Sequence, residues 1–386
     1  MIRGTGRLWR SSLLLLLLCA TGQAAAQSAG CNRAQAIVSE VLQLYVAAQP
    51  DHRAILAKLK TAQSLCPTLG DAWRHAYCSA LALGDQANAN MFKSRALFNG
   101  VTALDCADAG AAAAGAAAAA PLSTFVRQKF ALVIGIGNFK DERITKLKYA
   151  AKDARDFARV LTEPQHGNFT TENVTVLTDA QATRAGILNA LQSLFVQAEE
   201  EDLVVIYVSS HGSPLDRDKG LSGIGHIVTY DTALDKIWVD AIEYQDFAEK
   251  AAMIRARRKV AFLDTCYSGQ ASRAGAKLLS IDGVGVDDRT AKMFLSGEGT
   301  FVITSSKSDE RSWESETIQN SYFTYFLMDA LKRSKAEPPT VKDVFEYIST
   351  KVSQAVAREK SAQQHPQMHP STGPGDVRIG VVPKGN

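Results

Sequence analysis

The chain has 386 residues, of which 46% are hydrophobic, 22% charged and 8% aromatic. These proportions exclude a wholly disordered chain, a collagen-like repeat and a disulfide-held miniprotein, and leave a folded protein of about two domains. The formal net charge of +3 belongs to the start of the chain: Arg3, Arg7 and Arg10 are the only charged residues up to Ala26, and beyond it 40 basic residues face 40 acidic ones. No global basic field remains, so no nucleic-acid partner is expected.

The three arginines, the apolar run Leu13–Leu18 and the small residues Ala24-Ala25-Ala26 have the order of a secretory signal peptide, predicted over 1–26 with cleavage after Ala26. An uncleaved anchor is the alternative, disfavoured because the run is short for a bilayer core of about 30 Å. The predicted location is therefore periplasmic or secreted, with no membrane span after cleavage. Cys19 leaves with the leader. Cys31, Cys66, Cys78 and Cys106 form an even group that predicts up to two disulfides, with three connectivities open; a metal site would ask for tighter pairs such as C-x-x-C. Cys266 stands apart, and an unpaired cysteine in an oxidising compartment marks a reactive thiol.

Residues 27–106 read as a small all-α domain of about four helices, from the 3.6-residue spacing of Ile37, Val41, Leu44 and Tyr45 and of Ile55, Leu56 and Leu59. The run from Leu65-Cys66-Pro67 through Ala72-Trp73, Tyr77, Leu81, Gly84-Asp85 and Ala96 resembles one tetratricopeptide-like helix pair. Two readings stay open, a groove for a partner protein and a helical cap stapled by disulfides. Residues 107–122, nearly all alanine with Gly110, Gly115 and Pro121, read as a linker.

From 123 to 382, apolar runs alternate with amphipathic stretches: Phe130–Ile136, 147–162, Asn173–Leu177, 183–198, Leu203–Val208, 240–254, Val260–Leu263, Phe301–Thr304 and 321–333. Strand alternating with helix predicts a parallel α/β sheet, and near-continuously apolar strands predict helices on both faces. Ligands of such sheets sit beyond the carboxyl ends of the strands. Gly135-x-Gly137 lacks the third glycine of a dinucleotide fingerprint. His365-Pro366 and His369-Pro370 read as a tail, since prolines break a helical ligand face.

Two strands run straight into reactive residues, Val208-Ser209-Ser210-His211-Gly212 and Leu263-Asp264-Thr265-Cys266-Tyr267. This places His211 and Cys266 on one rim. An imidazole beside a thiol can take its proton and later protonate a leaving amine, which is cysteine-hydrolase chemistry. The amides of Gly212 and Cys266 are candidates for an oxyanion hole.

On the stretches Ala131–Ile136, Leu147–Ala154, Ser209–Gly212, Asp264–Gly269 and Ser321–Thr324, the chain from about 129 to 380 resembles the caspase superfamily, and within it the bacterial metacaspase-like branch. His211 precedes Cys266 by 55 residues, close to the spacing of about fifty noted for caspases. The resemblance implies a caspase-like three-layer sandwich around a mostly parallel six-stranded sheet, and a His–Cys peptidase centre needing no cofactor for its chemistry. An acidic pocket rewards a cationic side chain, and the resemblance assigns Asp153, Ser209 and Asp264 to a pocket taking Arg or Lys before the cut. For Asp153 the alternative is capping or pairing on its own helix near Lys152 and Arg155, and for Asp264 that it only orients backbone.

Three residues depart from the family pattern. These are Ser210, expected to crowd or reorient His211, Tyr267 and Ala150. Calcium as an activator is left open: Asp216, Asp218 and Asp231 are oxygen donors but no ligand set is assigned, because hard cations want six or more oxygens. Self-cleavage is expected in 270–298, at Arg273, Lys277, Arg289 or Lys292. The family resemblance implies a monomer. The competing reading of the chain is a catalytically inactive scaffold that binds basic peptides or partner proteins.

Overall fold

The structure is a computed structural model describing residues 29–46, 50–101, 104, 106, 125–214, 224–266, 299–307, 310–333, 337–370 and 377–380. The leader, the linker over 107–122, Asp216, Asp218, Tyr267, Arg273, Lys277, Arg289 and Lys292 lie outside these residues, as does the side chain of Cys266. None of the described helices is long and apolar enough to cross a membrane. The chain divides into two compact units, Met1–Ala118 and Ala119–Asn386.

In the first unit four helices are described, α1 over 29–45, α2 (His52–Leu65), α3 (Gly70–Ala82) and α4 (Gln86–Phe98). Of the apolar stripe read in the sequence, Val41, Tyr45, Ile55 and Leu59 enter their core together with Val38, Ala72 and Ala76, Ile37 and Leu56 pack at its edge, and Leu44 is exposed. Asp51 starts α2 by accepting the N–H groups of Arg53 and Ala54, both at 3.1 Å, as an N-cap residue should. Gly84 ends α3 at φ +70°, a left-handed conformation that glycine adopts without penalty. Of the three connectivities, the structure has Cys31–Cys66 and Cys78–Cys106.

The second unit opens with β1 (Lys129–Gly135), α5 (Ala150–Thr162), β2 (Val174–Thr178), α6 (Arg184–Gln197) and β3 (Leu203–Pro214). There follow β4 (Ile224–Ile227), α7 (Ile237–Asp240), β5 (Ile242–Glu243), α8 (Tyr244–Met253), β6 (Arg258–Cys266) and β7 (Gly299–Thr304). A small hairpin, β8 (Glu314–Ser315) with β9 (Asn320–Ser321), leads into α9 (Tyr322–Arg333), α10 (Val341–Lys360) and β10 (Gln367–His369). The main sheet has the order β10-β7-β6-β3-β1-β2. Five of its strands are parallel and β10 runs antiparallel on the edge. The residues read as a tail at 367–369 are thus a strand; a three-residue edge strand between prolines is too short for a periodic signal.

Because side chains alternate along a strand, each strand feeds both faces. Val133, Val205, Tyr207, Val260, Phe262 and Ile303 pack under α5, α9 and α10. Leu132, Ile134, Ile206 and Leu263 are buried on the other face, where α6 and α8 lie. Each such fully buried large side chain contributes about 1.5–3 kcal/mol. The result is three layers. Helix α10 starts with a reciprocal capping box between Thr340 and Asp343. Gly135 lets α5 close onto β1: a Cβ there would lie 2.3 Å from the Ala150 carbonyl oxygen and 2.5 Å from Ala154 Cβ.

Candidate active site

β3 and β6 lie side by side and both run past the apolar layer to the carboxyl rim. Their register pairs Ser209 with Asp264, Ser210 with Thr265 and His211 with Cys266. The backbones of His211 and Cys266 are therefore direct neighbours on adjacent strands.

His211 is 5% exposed, and its Nε2 lies 2.6 Å from the main-chain carbonyl oxygen of Thr145. Phe139 stacks on the ring, centroids 5.3 Å apart and planes 22° from parallel. Both partners come from the segment joining β1 to α5. Asp179 anchors that segment by accepting the N–H groups of Gly137 and Asn138, each at 2.9 Å. Leu147 N–H closes it on the Gly137 carbonyl at 2.9 Å, and Lys140 N–H ties it to Tyr230 at 2.8 Å. The expected crowding of His211 by Ser210 does not arise. Adjacent strand residues point to opposite faces, and the Ser210 hydroxyl donates to the Val228 carbonyl at 2.7 Å. Val228 N–H in turn donates to the His211 carbonyl at 2.9 Å.

Two residues before Cys266, Asp264 is 1% exposed. It accepts the hydroxyls of Ser312 at 2.7 Å, Ser321 at 2.5 Å and Thr324 at 3.3 Å. Asp153, in the first turn of α5, is fully buried and accepts Asn320 Nδ2 at 2.5 Å and Ser321 N–H at 3.0 Å. Ser321 therefore holds both carboxylates. Lys152 pairs instead with Asp156 at 2.5 Å, and Arg155 reaches Thr178, so Asp153 is not paired along its own helix. Burial, and then the negative charge of Asp264, hold the Asp153 carboxyl well above the usual range. Burial and the same two acids raise the phenol of Tyr207, whose hydroxyl shares a 2.6 Å hydrogen bond with Thr324. Ser209 is buried beside this cluster, its carbonyl accepting Ile136 N–H at 2.9 Å.

Sequence reasoning did not single out Ser312, Glu314, Asn320 or Gln364 for this site. Glu314 accepts Lys148 N–H at 3.1 Å and Tyr149 N–H at 2.7 Å. Gln364, fully buried, donates to Ser305 O at 3.0 Å and to the Ser312 hydroxyl at 2.9 Å, and accepts Trp313 N–H at 2.9 Å. The only local signal was a polar run between hydrophobic segments, which reads equally well as a turn. Among the described residues no group of three or more His, Cys, Asp or Glu is arranged to hold a metal. Asp231 is engaged in starting α6, accepting Arg184 N–H at 2.9 Å and the Thr229 hydroxyl at 2.7 Å.

A family model described as the caspase domain matches residues 128–376, well over half of the chain. No curated protein matches the chain. Among solved structures it is similar to a Geobacter sulfurreducens protein at 17% identity, over 66% of this chain and 99% of that one, with a TM-score of 0.47. It is also similar to caspase-1 from Spodoptera frugiperda at 15% identity, over 69% of this chain and 95% of that one, with a TM-score of 0.45.

Proposed function

The chain belongs to the caspase-domain family, and from that premise we propose that it is an exported cysteine endopeptidase cutting peptide bonds after Arg or Lys. One observation carries the reading: the strand register that makes His211 and Cys266 neighbours also sets Asp264 in a buried carboxylate cluster two residues before the thiol.

A carbonyl oxygen can only accept, so the contact with Thr145 keeps the neutral imidazole proton on Nε2. Nδ1 is then the basic atom. It takes the proton of the Cys266 thiol, and the thiolate attacks the scissile carbonyl carbon. The tetrahedral oxyanion is received by the amides of Gly212 and Cys266. As the C–N bond breaks, Nδ1–H protonates the departing amine and leaves a thioester. Water then gives a proton to His211 and adds to the thioester, releasing the carboxylic acid and restoring the thiol. The side chain before the cut enters the pocket of Asp153, Asp264 and Ser209, where its cation offsets the repulsion between two buried like charges.

Export rests on the two disulfides, which persist in oxidising compartments. The four-helix unit serves as a stapled cap or as a site for a partner protein, and the enzyme acts as a monomer. Self-cleavage in 270–298 belongs to the same proposal. It predicts two bands on a denaturing gel for wild type and one for Cys266→Ala.

The test is an assay of the purified protein on fluorogenic peptides ending in Arg, Lys or Asp, with and without calcium, beside Cys266→Ala. Cysteine-dependent release after Arg or Lys is expected. Release after Asp would overturn the pocket, and no release by folded, thiol-reduced protein would favour a scaffold that binds basic peptides.

A further inference from the structure

Two consecutive large apolar side chains of α7 stand in solvent: Trp238 is 68% exposed and Val239 73%. Single exposed apolar residues are ordinary, but an adjacent pair beside reactive groups marks a contact surface. The pair is fastened to the reactive rim along two paths. On the first, the Trp238 indole meets the imidazole of His226 edge-on, with ring centroids 5.0 Å apart and planes at 71°. His226 is buried on β4 opposite Ser213 of β3, and its Nδ1 shares a 3.0 Å hydrogen bond with the Ser213 hydroxyl. Ser213 comes two residues after His211 on the same strand.

On the second path, a 3₁₀ turn over Leu234–Lys236 runs directly into α7. The Asp141 carboxylate accepts Leu234 N–H at 2.9 Å and the Arg143 guanidinium at 2.6 Å, and Arg143 also reaches Asp235 at 2.8 Å. Asp141 and Arg143 belong to the loop that supplies Thr145 and Phe139 to His211. Helix α7 is therefore tied both to the strand that carries the imidazole and to the loop that orients it. Burial lowers the His226 imidazole below its usual range, so at neutral pH the indole rests on an uncharged ring.

Chemistry sets the direction of a bound peptide. Asp153 opens α5 on one face of the sheet, whereas β4 and β5 pack on α8, which covers the other face. The leaving amine takes its proton from His211, so the residues after the cut depart across β3, away from the acids and toward β4. At about 3.3 Å per extended residue, Ser213 lies about 7 Å past His211, and the peptide comes over Trp238 about two to four residues after the cut.

We propose that Trp238 and Val239 form a docking surface for large apolar side chains on the leaving-group side of the substrate, an assignment that rests on the peptidase reading for the direction of the peptide. Tryptophan suits this task because it offers a large rigid area at small cost in conformational entropy.

Two peptides that are identical up to one arginine, and continue after it with Gly-Leu-Leu-Gly or with Gly-Ser-Ser-Gly, are titrated calorimetrically into the full chain carrying Cys266→Ala. The leucine peptide should bind about tenfold more tightly. Adding Trp238→Ala should abolish that preference. Adding Val196→Ala, which removes a similarly exposed apolar residue from α6, should leave it intact. If Trp238→Ala does not fold, Val239→Ser replaces it and should reduce the preference by about threefold or more. Equal affinity for the two peptides, binding of neither, or a preference that survives these variants would overturn the proposal. So would a wild-type dimer that Trp238→Ala turns into a monomer on sedimentation without any peptide preference, since a second copy would then cover the patch. Cleavage after arginine that is indifferent to Trp238 would refute the surface and leave the peptidase. A Trp238-dependent preference without cleavage by wild type would refute the peptidase and leave a surface for apolar residues that follow arginine.

Discussion

The Nε2 atom of His211 stands 2.6 Å from the carbonyl oxygen of Thr145, 66 residues earlier in the chain. The third partner that orients the imidazole is thus main chain, and its position depends on the loop from β1 to α5. Phe139 holds the other dimension of the ring by stacking. Phe139→Ala should lower kcat by about tenfold while leaving KM for an Arg substrate nearly unchanged, because freeing the base loosens proton transfer without touching the pocket. Phe139→Tyr should restore most of it. A rise in KM with constant kcat would contradict this division of labour.

Removing the base itself has a larger effect. His211→Ala should cost about 10²–10⁴-fold in kcat, and should also slow labelling of Cys266 by a thiol-alkylating probe at neutral pH. Labelling that is indifferent to His211 would mean that the thiol is not activated by the imidazole.

Asp153 gives a pH signature. Its carboxyl is raised in the folded protein, so the native state holds a proton that the unfolded chain releases near pH 4. Stability attributable to this group is therefore full at acidic pH and declines as pH rises through the raised value. Asp153→Asn mimics the protonated form and removes that decline. At pH 7 the variant should be at least as resistant to urea as wild type, while its kcat/KM for Arg peptides collapses. A variant less stable than wild type across pH 4–8 would show that the charged carboxylate is held favourably.

The strands β1, β3, β6 and β7 were legible in the sequence because each is an apolar run buried on both faces, the edge strand β2 showed as a short run that is only partly buried, and the reactive residues were legible because they follow two of the buried runs without a break. The two- to four-residue strands β4, β5, β8, β9 and β10 carry too few positions for any period to show. Helix α10 was readable but not read: Thr340 and Asp343 are a capping pair ahead of Val341, Val344, Ile348 and Val352, all buried on one side. Glu314 and Gln364 could not be found locally, since their partners Tyr149 and Ser312 lie 165 and 52 residues away.

Gly135 tests how closely the pocket depends on packing. Gly135→Ala sets a methyl against the Ala150 carbonyl and Ala154, neither of which is a flexible side-chain end. Overpacking of this kind costs about 1–3 kcal/mol, and moving α5 outward carries Asp153 with it. Both the urea midpoint and kcat/KM for Arg peptides should fall together. A loss of stability with full kcat/KM would show that α5 tilts without displacing its first turn.

The disulfides close loops of 35 and 28 residues, for which chain entropy predicts about 3–4 kcal/mol each. Reduction should speed hydrogen exchange in α1 through α4 and leave β1, β3 and β6 as protected as before. Unchanged exchange in the four helices would show that their core suffices without the crosslinks.

Gln364 comes 98 residues after Cys266 in the sequence, yet its amide fixes Ser312 and Trp313, and Ser312 in turn fixes Asp264. A chain cut short at residue 363 would retain His211, Cys266 and every acid of the pocket, but lose the side chain that ties the pocket wall to the sheet. A ribosome must therefore deliver the chain past Gln364 before the pocket can set, so a product cut short before that residue carries all the reactive groups without the means to aim them.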